Sequence, residues 1–246
     1  MAREVFSVEL SGLNIEIKSQ SEYVRDLCAD YISGPIADPA FSVEASQLDV
    51  AAEAARYSVP HSEAYCESVC VYREIAERLP AYQRAVFHGA AVEIGGKGYI
   101  FTAPSGVGKT THVRLWGELL GDSLKIVNGD KPIIGIADGD IRVWGSPWQG
   151  KERWGNNSSA PLRAICFIKR GKINKIQRID PSEHFNSLMD QIYFPKDGDA
   201  VIKTFELVEA LAKKVDFYLL ECDISEEAAR LSFETLTGEK YSQDHR

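Results

Sequence analysis

The sequence lacks the features that mark several specialised classes of protein. It has no apolar run long enough to cross a bilayer, and its first residues alternate polar with apolar instead of forming the continuous segment of a secretory signal. No Ser/Gly-rich linker, internal repeat or low-complexity block divides it. We therefore expect a compact protein that works neither in nor on a membrane.

Positive charge is also scarce. The chain carries 28 Lys and Arg against 36 Asp and Glu, a formal net charge of −8 at pH 7, and the basic residues are scattered. Nucleic acids and anionic membranes are bound by concentrated basic surfaces. Neither is expected as a partner.

Cysteines are few, odd in number and unevenly spread. Such a set fits reduced thiols in the cytoplasm better than a disulfide framework. Two of the thiols are four residues apart, on one face of a predicted helix, but without a second ligand pair they are interpreted as core residues rather than a metal site. The five are Cys28, Cys66, Cys70, Cys166 and Cys222.

What the chain does have is a large apolar fraction, 44% of 246 residues, enough for a sizeable core. Alternating and helical patterns predict an α/β fold. An α+β portion packed on the core is predicted over residues 1–80, the larger nucleotide-binding core over 81–240, and a flexible tail over 241–246. In the core, helices are predicted at 181–191, with Ser182 as a possible N-cap, at 200–213 and at 225–235.

The most informative stretch is residues 103–110, Ala-Pro-Ser-Gly-Val-Gly-Lys-Thr, between an apolar strand and a helix. Its glycines let backbone N–H groups converge on phosphate oxygens, and the helix N-terminus adds positive charge. In such a loop Lys109 reaches the β/γ-phosphates and Thr110 binds Mg²⁺. The alternative is a Gly-rich surface turn with a solvated lysine. The predicted nucleotide-binding residues are Ser105, Gly106, Val107, Gly108, Lys109, Thr110 and Thr111.

Two residues outside the loop are candidates for catalysis. Asp130 ends the next apolar strand, where a carboxylate would give Mg²⁺ a second support; otherwise it is a cap or turn residue. His88 begins a predicted strand over 87–94, as a base near the γ-phosphate or as a structural histidine. Lys131 pairs with Asp130 or touches phosphate.

Residues 144–154 contain three tryptophans and two cations, Lys151 and Arg153. This composition suits a loop that holds a ligand between aromatic and cationic surfaces. The two cations are candidates for countering charge on a transferred phosphoryl group. The alternatives are core tryptophans and solvated cations.

Together these segments resemble the HPr kinase/phosphorylase C-terminal domain and its small relatives, which share a phosphate loop and core with phosphoenolpyruvate carboxykinase. The resemblance implies a P-loop core of mixed β-sheet with flanking helices, ATP and Mg²⁺ as cofactors, a hydroxyl acceptor and a possible homo-oligomer. It is carried by residues 88–91, 105–111, 128–132, 144–151 and 155–168.

One departure concerns the position before Asp130, which is commonly Asp in that family and is Gly129 here. Glycine cannot take a proton. Either Asp130 serves both metal and proton roles, or His88 is the base, or transfer is poor.

The leading hypothesis is an ATP-dependent kinase acting on a hydroxyl, with serine of a protein or peptide as the acceptor suggested by the resemblance. The alternatives are a small-molecule hydroxyl kinase and a nucleotide-binding regulatory protein with reduced or lost catalysis. A carboxykinase reaction is disfavoured because the chain is short and lacks a second metal cluster.

Overall fold

The structure is a computed structural model that describes residues 4–35 and 37–242. It is a mixed α/β fold. Of the predicted tail, residues 243–246 lie outside the described residues. The strands are β1 (Glu4–Leu10), β2 (Leu13–Ser19), β3 (Ile32–Ser33), β4 (Phe41–Glu44), β5 (Arg84–Val86), β6 (Ala90–Ile94), β7 (Lys97–Thr102), β8 (Lys125–Asn128), β9 (Ile133–Ala137), β10 (Asp140–Trp144), β11 (Ser159–Arg170), β12 (Lys175–Arg178) and β13 (Asp216–Cys222). The helices are α1 (Glu22–Leu27), α2 (Gln47–Ala54), α3 (Glu63–Arg78), α4 (Lys109–Leu120), α5 (Phe185–Met189), α6 (Gly198–Lys214) and α7 (Glu226–Thr237).

The N-terminal sheet has the strand order β3-β1-β2-β4. β1 and β2 form a hairpin whose turn, Ser11-Gly12, has positive φ at both residues, as a tight two-residue hairpin requires. Val8, Ile15 and Ile17 are fully buried by the inward alternation of the two strands, in a cluster that also contains the buried apolar residues of α3.

The larger sheet is ordered β5-β9-β10-β11-β7-β6-β8, with β13 pairing to β11 and β12 to β13. β11 runs parallel to both β7 and β13, whereas the other pairs in this sheet are antiparallel. The carboxyl ends of β7, β11 and β13 therefore meet at one edge of the sheet. In open α/β sheets, ligands bind in the crevice outside this edge.

Helices cover both faces of this sheet. α4 and α7 pack on one face with Cys166 of β11, and α6 packs on the other with Ile165 and Phe167. This alternation along β11 is the period-two pattern of a strand buried on both faces. None of the helices in the described ranges is both long and apolar enough to span a bilayer.

The structure corrects two predicted elements. The predicted strand over 87–94 is interrupted, because His88 N–H donates to Gln191 O (2.6 Å) and leaves the ladder, so His88 lies between β5 and β6. The predicted helix over 181–191 is only α5, and Ser182 is not its cap; Ser182 instead bonds to Asp180. β3, β5, β9, β10, β12 and α2 were not predicted.

Candidate functional site

The loop between β7 and α4, residues 103–108, ends at a helix N-terminus that no side chain of the described residues caps. Gly106 (φ 78°) and Gly108 (φ 132°) take backbone conformations that other residues rarely adopt. The first N–H groups of a helix have no intrahelical acceptor and carry partial positive charge. This end of α4 is therefore suited to an anion. Five other helices are capped by Ser21, Ser46, Ser62, Asp197 and Ser225.

Lys109, the first residue of α4, is buried with its charge. Only 8% of the residue is exposed, and Nζ donates to Ala103 O at 2.8 Å, its one hydrogen-bond partner among residues 4–35 and 37–242. Burial lowers the pKa of Lys109; Asp130 opposes that effect and Lys131 adds to it. An ammonium has three donors, so two N–H groups of a buried cation are left for an anion beside the loop.

The 103–108 loop is held from outside by Arg170, at the end of β11. Its Nε donates to Val107 O at 3.0 Å, and its Nη2 donates to Gly106 O. These bonds tie the two carbonyls to the neighbouring strand. Sequence analysis missed Arg170, because nothing near it in the chain relates it to a loop more than sixty residues away.

Asp130 is positioned by Asn128, the fully buried last residue of β8. Asn128 Oδ1 accepts from the N–H groups of Asp130 (2.8 Å) and Lys131 (2.7 Å), and its Nδ2 donates to Ser146 O (3.0 Å). A side-chain amide that closes such a turn fixes the backbone of the next residues. The Asn128 side chain therefore fixes the backbone at Asp130, although Asp130 lies outside a strand.

The Asp130 carboxylate lies between two basic groups. Its Oδ2 is 3.0 Å from Lys131 Nζ, and its Oδ1 is 3.6 Å from His88 Nε2, too far for a hydrogen bond. The pKa of His88 is lowered to about 4, mainly by burial and then by Lys131 and Lys109, while Asp130 and Gln191 act in the opposite direction. His88 is therefore uncharged at neutral pH and can accept a proton.

His88 is linked to the end of β7, the strand that leads into the 103–108 loop. Thr102 Oγ1 lies 2.8 Å from His88 O and 3.0 Å from Gln191 Oε1. Thr102 is fully buried and Gln191 is 8% exposed. This buried network fixes the position of His88 relative to the loop. Gln191 gave no signal in the sequence.

Gly129 lies against backbone. A Cβ there would be 3.1 Å from both Gln149 O and Trp154 O, and Gly129 N–H donates to Trp154 O at 2.7 Å. Gly150, which follows Gln149 in the chain, is equally close to the site, because a Cβ there would be 2.9 Å from Asp130 Cβ. The loop that follows β10 therefore fills the space beside Gly129 and borders Asp130.

The other predicted groups of this loop do not converge on the site. Lys151 and Arg153 are exposed, and no side-chain contact to Lys109, His88 or Asp130 is seen for them in the described part of the chain. Trp144 and Trp148 pack against the N-terminal core, where Trp148 stacks on Tyr72 with ring centroids 4.0 Å apart. For these two tryptophans the structure favours the core interpretation.

Thr110 and Asp130 supply hard oxygen donors. Thr110 follows Lys109 in the first turn of α4 and is half-buried. The described residues contain no group of three or more His, Cys, Asp or Glu that could hold a metal ion. Mg²⁺ commonly uses one or two protein oxygens and completes its shell with substrate phosphates and water. Thr110 and Asp130 match that donor set. They are too few to form a metal site made of protein ligands alone. The remaining residues predicted to bind nucleotide, Ser105, Gly106, Val107 and Gly108 of the loop and Thr111 of α4, are exposed or half-buried.

Comparison with known proteins gives little. No protein-family model matches the chain, and no curated protein matches it. Among solved structures, the Hpr(Ser) kinase/phosphatase from Coxiella burnetii is similar over 62% of this chain and 88% of its own, with a TM-score of 0.36 and 11% sequence identity. At these values the similarity is at most a distant relationship of fold, and no argument about activity rests on it.

Proposed function

We propose that the protein is an ATP-dependent kinase with a P-loop core, transferring the γ-phosphoryl group of ATP to a hydroxyl acceptor, with serine of a protein or peptide as the leading acceptor class. The observation that carries the proposal is the buried ammonium of Lys109 at the uncapped N-terminus of α4. A buried charge is costly unless it is paired. A phosphate tail on the 103–108 loop would pair it.

The chain offers a residue for each further role. Thr110 and Asp130 would hold Mg²⁺, which neutralises charge on the β- and γ-phosphates. The acceptor hydroxyl would attack the γ-phosphorus as the bond to the β–γ bridging oxygen breaks, and its proton would pass to His88 Nε2 or to Asp130. A group with a pKa of about 4 is a weak base, which suffices where the transition state is loose and catalysis rests on positioning and charge.

The five cysteines support a cytoplasmic setting. All five are buried and free of disulfides. Buried thiols without partners are typical of reducing compartments.

A second candidate is a nucleotide-binding regulatory protein. It is favoured by Gly129, which carries no carboxylate. The carbonyl oxygens of Gln149 and Trp154 lie 3.1 Å from the position that a Cβ of this residue would take. In that case the loop binds ATP and the acceptor is not phosphorylated.

The test is transfer of label from γ-labelled ATP with Mg²⁺ to HPr-like proteins, serine-bearing peptides and small hydroxyl metabolites. We expect transfer by the wild type and its loss in Lys109→Ala. Lys97→Ala, at an exposed lysine at the start of β7, is the matched control and should retain activity. Nucleotide binding without transfer would favour the regulatory function. Transfer that persists in Lys109→Ala would refute the proposed site.

A further inference from the structure

Lys131 brings a second lysine to the candidate site. Its Nζ lies 3.0 Å from Asp130 Oδ2, while the other oxygen of that carboxylate, Oδ1, is the one near His88. The positive charge of Lys131 also lowers the pKa of both His88 and Lys109. Lys109 is buried, whereas Lys131 is partly exposed. Lys131 therefore supplies a cation that a ligand entering from solvent can reach.

The backbone at Lys131 is fixed by side chains from three parts of the fold. Its N–H donates to Asn128 Oδ1 of β8 at 2.7 Å. Its carbonyl oxygen accepts from Tyr72 of α3 at 2.8 Å and from Ser146, which follows β10, at 2.7 Å. All three side chains are buried. None of these bonds involves the Lys131 side chain, so the ammonium can move, or be replaced, while the backbone keeps its place.

The segment that carries His88 runs beside Lys131. The two N–H groups that flank His88 donate to the two carbonyl oxygens that flank Lys131, at 2.9 and 3.0 Å. His88 N–H itself donates to Gln191 O on its other side. The backbone therefore holds His88 and Lys131 next to each other, independently of the ion pair with Asp130.

The ion pair between Lys131 and Asp130 is one that a ligand can exchange. The two side chains are 37% and 34% exposed, and ion pairs in contact with water contribute little to stability. Asp130 is also a proposed ligand of Mg²⁺. Once its carboxylate has another cation to pair with, the three N–H donors of the Lys131 ammonium are available to an anion beside it.

Phosphoryl transfer calls for a cation at the group that is transferred. Its transition state is loose and spreads negative charge over three equatorial oxygens. Lys151 and Arg153, which the sequence suggested for this role, are exposed, and in the described part of the chain no side-chain contact joins them to the site. The charge of Lys131 does act at the site, since it lowers the pKa of His88. Lys131 therefore fits the role better than either of them.

We propose that Lys131 is a catalytic residue, whose ammonium leaves Asp130 when Mg·ATP binds and contacts an oxygen of the γ-phosphoryl group during transfer. The proposal rests on the proposed function and extends it. The acceptor oxygen forms a bond to phosphorus, and the bond to the β–γ bridging oxygen breaks with its electron pair remaining on ADP. The proton of the acceptor passes to His88 Nε2 or to Asp130. Lys131 keeps its protons and compensates charge without forming a covalent bond.

The experiment is calorimetric titration of the full chain with Mg·ADP, alone and together with aluminium fluoride. The combination imitates a nucleotide whose phosphoryl group is in transit, and such analogues bind more tightly than ground-state ligands. Lys131→Met keeps the length of the side chain and removes its charge. It should bind Mg·ADP as the wild type does and lose about a hundredfold of the affinity that aluminium fluoride adds, the usual effect of removing one group that stabilises transition-state charge.

Two further variants separate the charge from the structure. Lys131→Arg keeps the charge and should regain about tenfold of the loss. Lys125→Met is the matched control, because Lys125, at the start of β8, also pairs with a carboxylate, that of Glu93 at 3.4 Å. It should leave both affinities unchanged. In the labelled-ATP assay, Lys131→Met should lower kcat about a hundredfold and leave the KM for ATP unchanged, as expected when a contact made only in the transition state is lost.

The two proposals can fail separately. If aluminium fluoride strengthens Mg·ADP binding equally in the wild type and in Lys131→Met, the role of Lys131 is overturned while the phosphoryl-transfer site stands. If Lys131→Met weakens Mg·ADP and keeps the full gain from aluminium fluoride, Lys131 only positions Asp130, and the catalytic role is again overturned. A wild type in which aluminium fluoride adds no affinity lacks a phosphoryl-transfer site, which overturns both proposals.

Discussion

At the scale of single residues, Gly129 shows how a departure from a motif is understood only with its surroundings. From the sequence, glycine before Asp130 reads as a lost carboxylate that one substitution could restore. In the structure a Cβ there would be 3.1 Å from the carbonyl oxygens of Gln149 and Trp154. A carboxylate would stand beside two acceptors that cannot donate to it.

We therefore predict that Gly129→Asp does not raise phosphoryl transfer and lowers the free energy of unfolding by about 1–3 kcal/mol, the usual cost of forcing atoms into a packed site. Urea denaturation together with the labelled-ATP assay measures both quantities. Gly129→Ala is the control, since it adds the Cβ without the charge and should be less destabilised. A Gly129→Asp protein as stable as the wild type and faster in transfer would contradict the prediction, because it would show that the backbone of residues 149–154 moves aside at little energetic cost.

The site residues predicted from the sequence are those whose role depends on near neighbours in the chain. Lys109 and Thr110 belong to one short motif, and Asp130 follows an apolar strand. Arg170 and Gln191 act on the site through contacts across the fold, Arg170 with Gly106 and Gln191 with His88. Neither contact leaves a local pattern. Lys151 and Arg153 were chosen as cations in a tryptophan-rich loop, and within residues 4–35 and 37–242 no side-chain contact joins them to Lys109, His88 or Asp130.

At the scale of elements, the 103–108 loop depends on β11. Two glycines with positive φ give the loop freedom that a binding site must restrict, and the two bonds from Arg170 to Gly106 O and Val107 O restrict it. Binding to a loop already held in place costs less conformational entropy than binding to a mobile one.

Arg170→Ala is therefore expected to weaken Mg·ATP about tenfold and to speed amide hydrogen exchange in the loop. Two lost hydrogen bonds of about 0.5–1.5 kcal/mol each are enough for that effect. Lys169→Ala is the matched control. Lys169 is the residue before Arg170, and its exposed side chain pairs with Glu221 and not with the loop. If amide exchange in the loop and the affinity for ATP equal those of the wild type, the two hydrogen bonds from Arg170 do not contribute to nucleotide binding.

The sequence predicts helices best where a cap and a periodic apolar face coincide. α7 begins after Ser225, which accepts from Ala228 N–H. In the predicted helix over 181–191 no cap coincides with the apolar face. The Ser182 hydroxyl donates to Asp180, and the helix begins only at Phe185. β9 and β10 were missed because their hairpin, at Asp138-Gly139, was not recognised.

At the scale of the whole molecule, the N-terminal portion contacts the segments that build the site. Tyr72 of α3 donates to Lys131 O at 2.8 Å, and Tyr31 donates to Asn156 O at 3.0 Å. Trp148 Nε1 donates back to Ser68 O at 3.1 Å. Val86 of β5 is buried in the same cluster as the N-terminal strands. The boundary near residue 80, predicted from sequence, thus crosses a shared core. Such contacts could not be read from either half alone.

From this shared core we predict that residues 4–242 unfold as one cooperative unit. The cysteines allow a direct measurement, because all five are buried. Cys28, Cys66 and Cys70 lie in the N-terminal cluster, and Cys166 and Cys222 lie beneath α4 and α7. A pulse of thiol reagent at increasing urea, read by peptide mass spectrometry, should give one midpoint for all five. Tyr72→Phe should lower that midpoint for both groups together, since the lost bond to Lys131 O joins the two portions. If the first three thiols react at lower urea than Cys166 and Cys222, the N-terminal portion opens on its own, and the site borders a movable domain rather than a fixed wall.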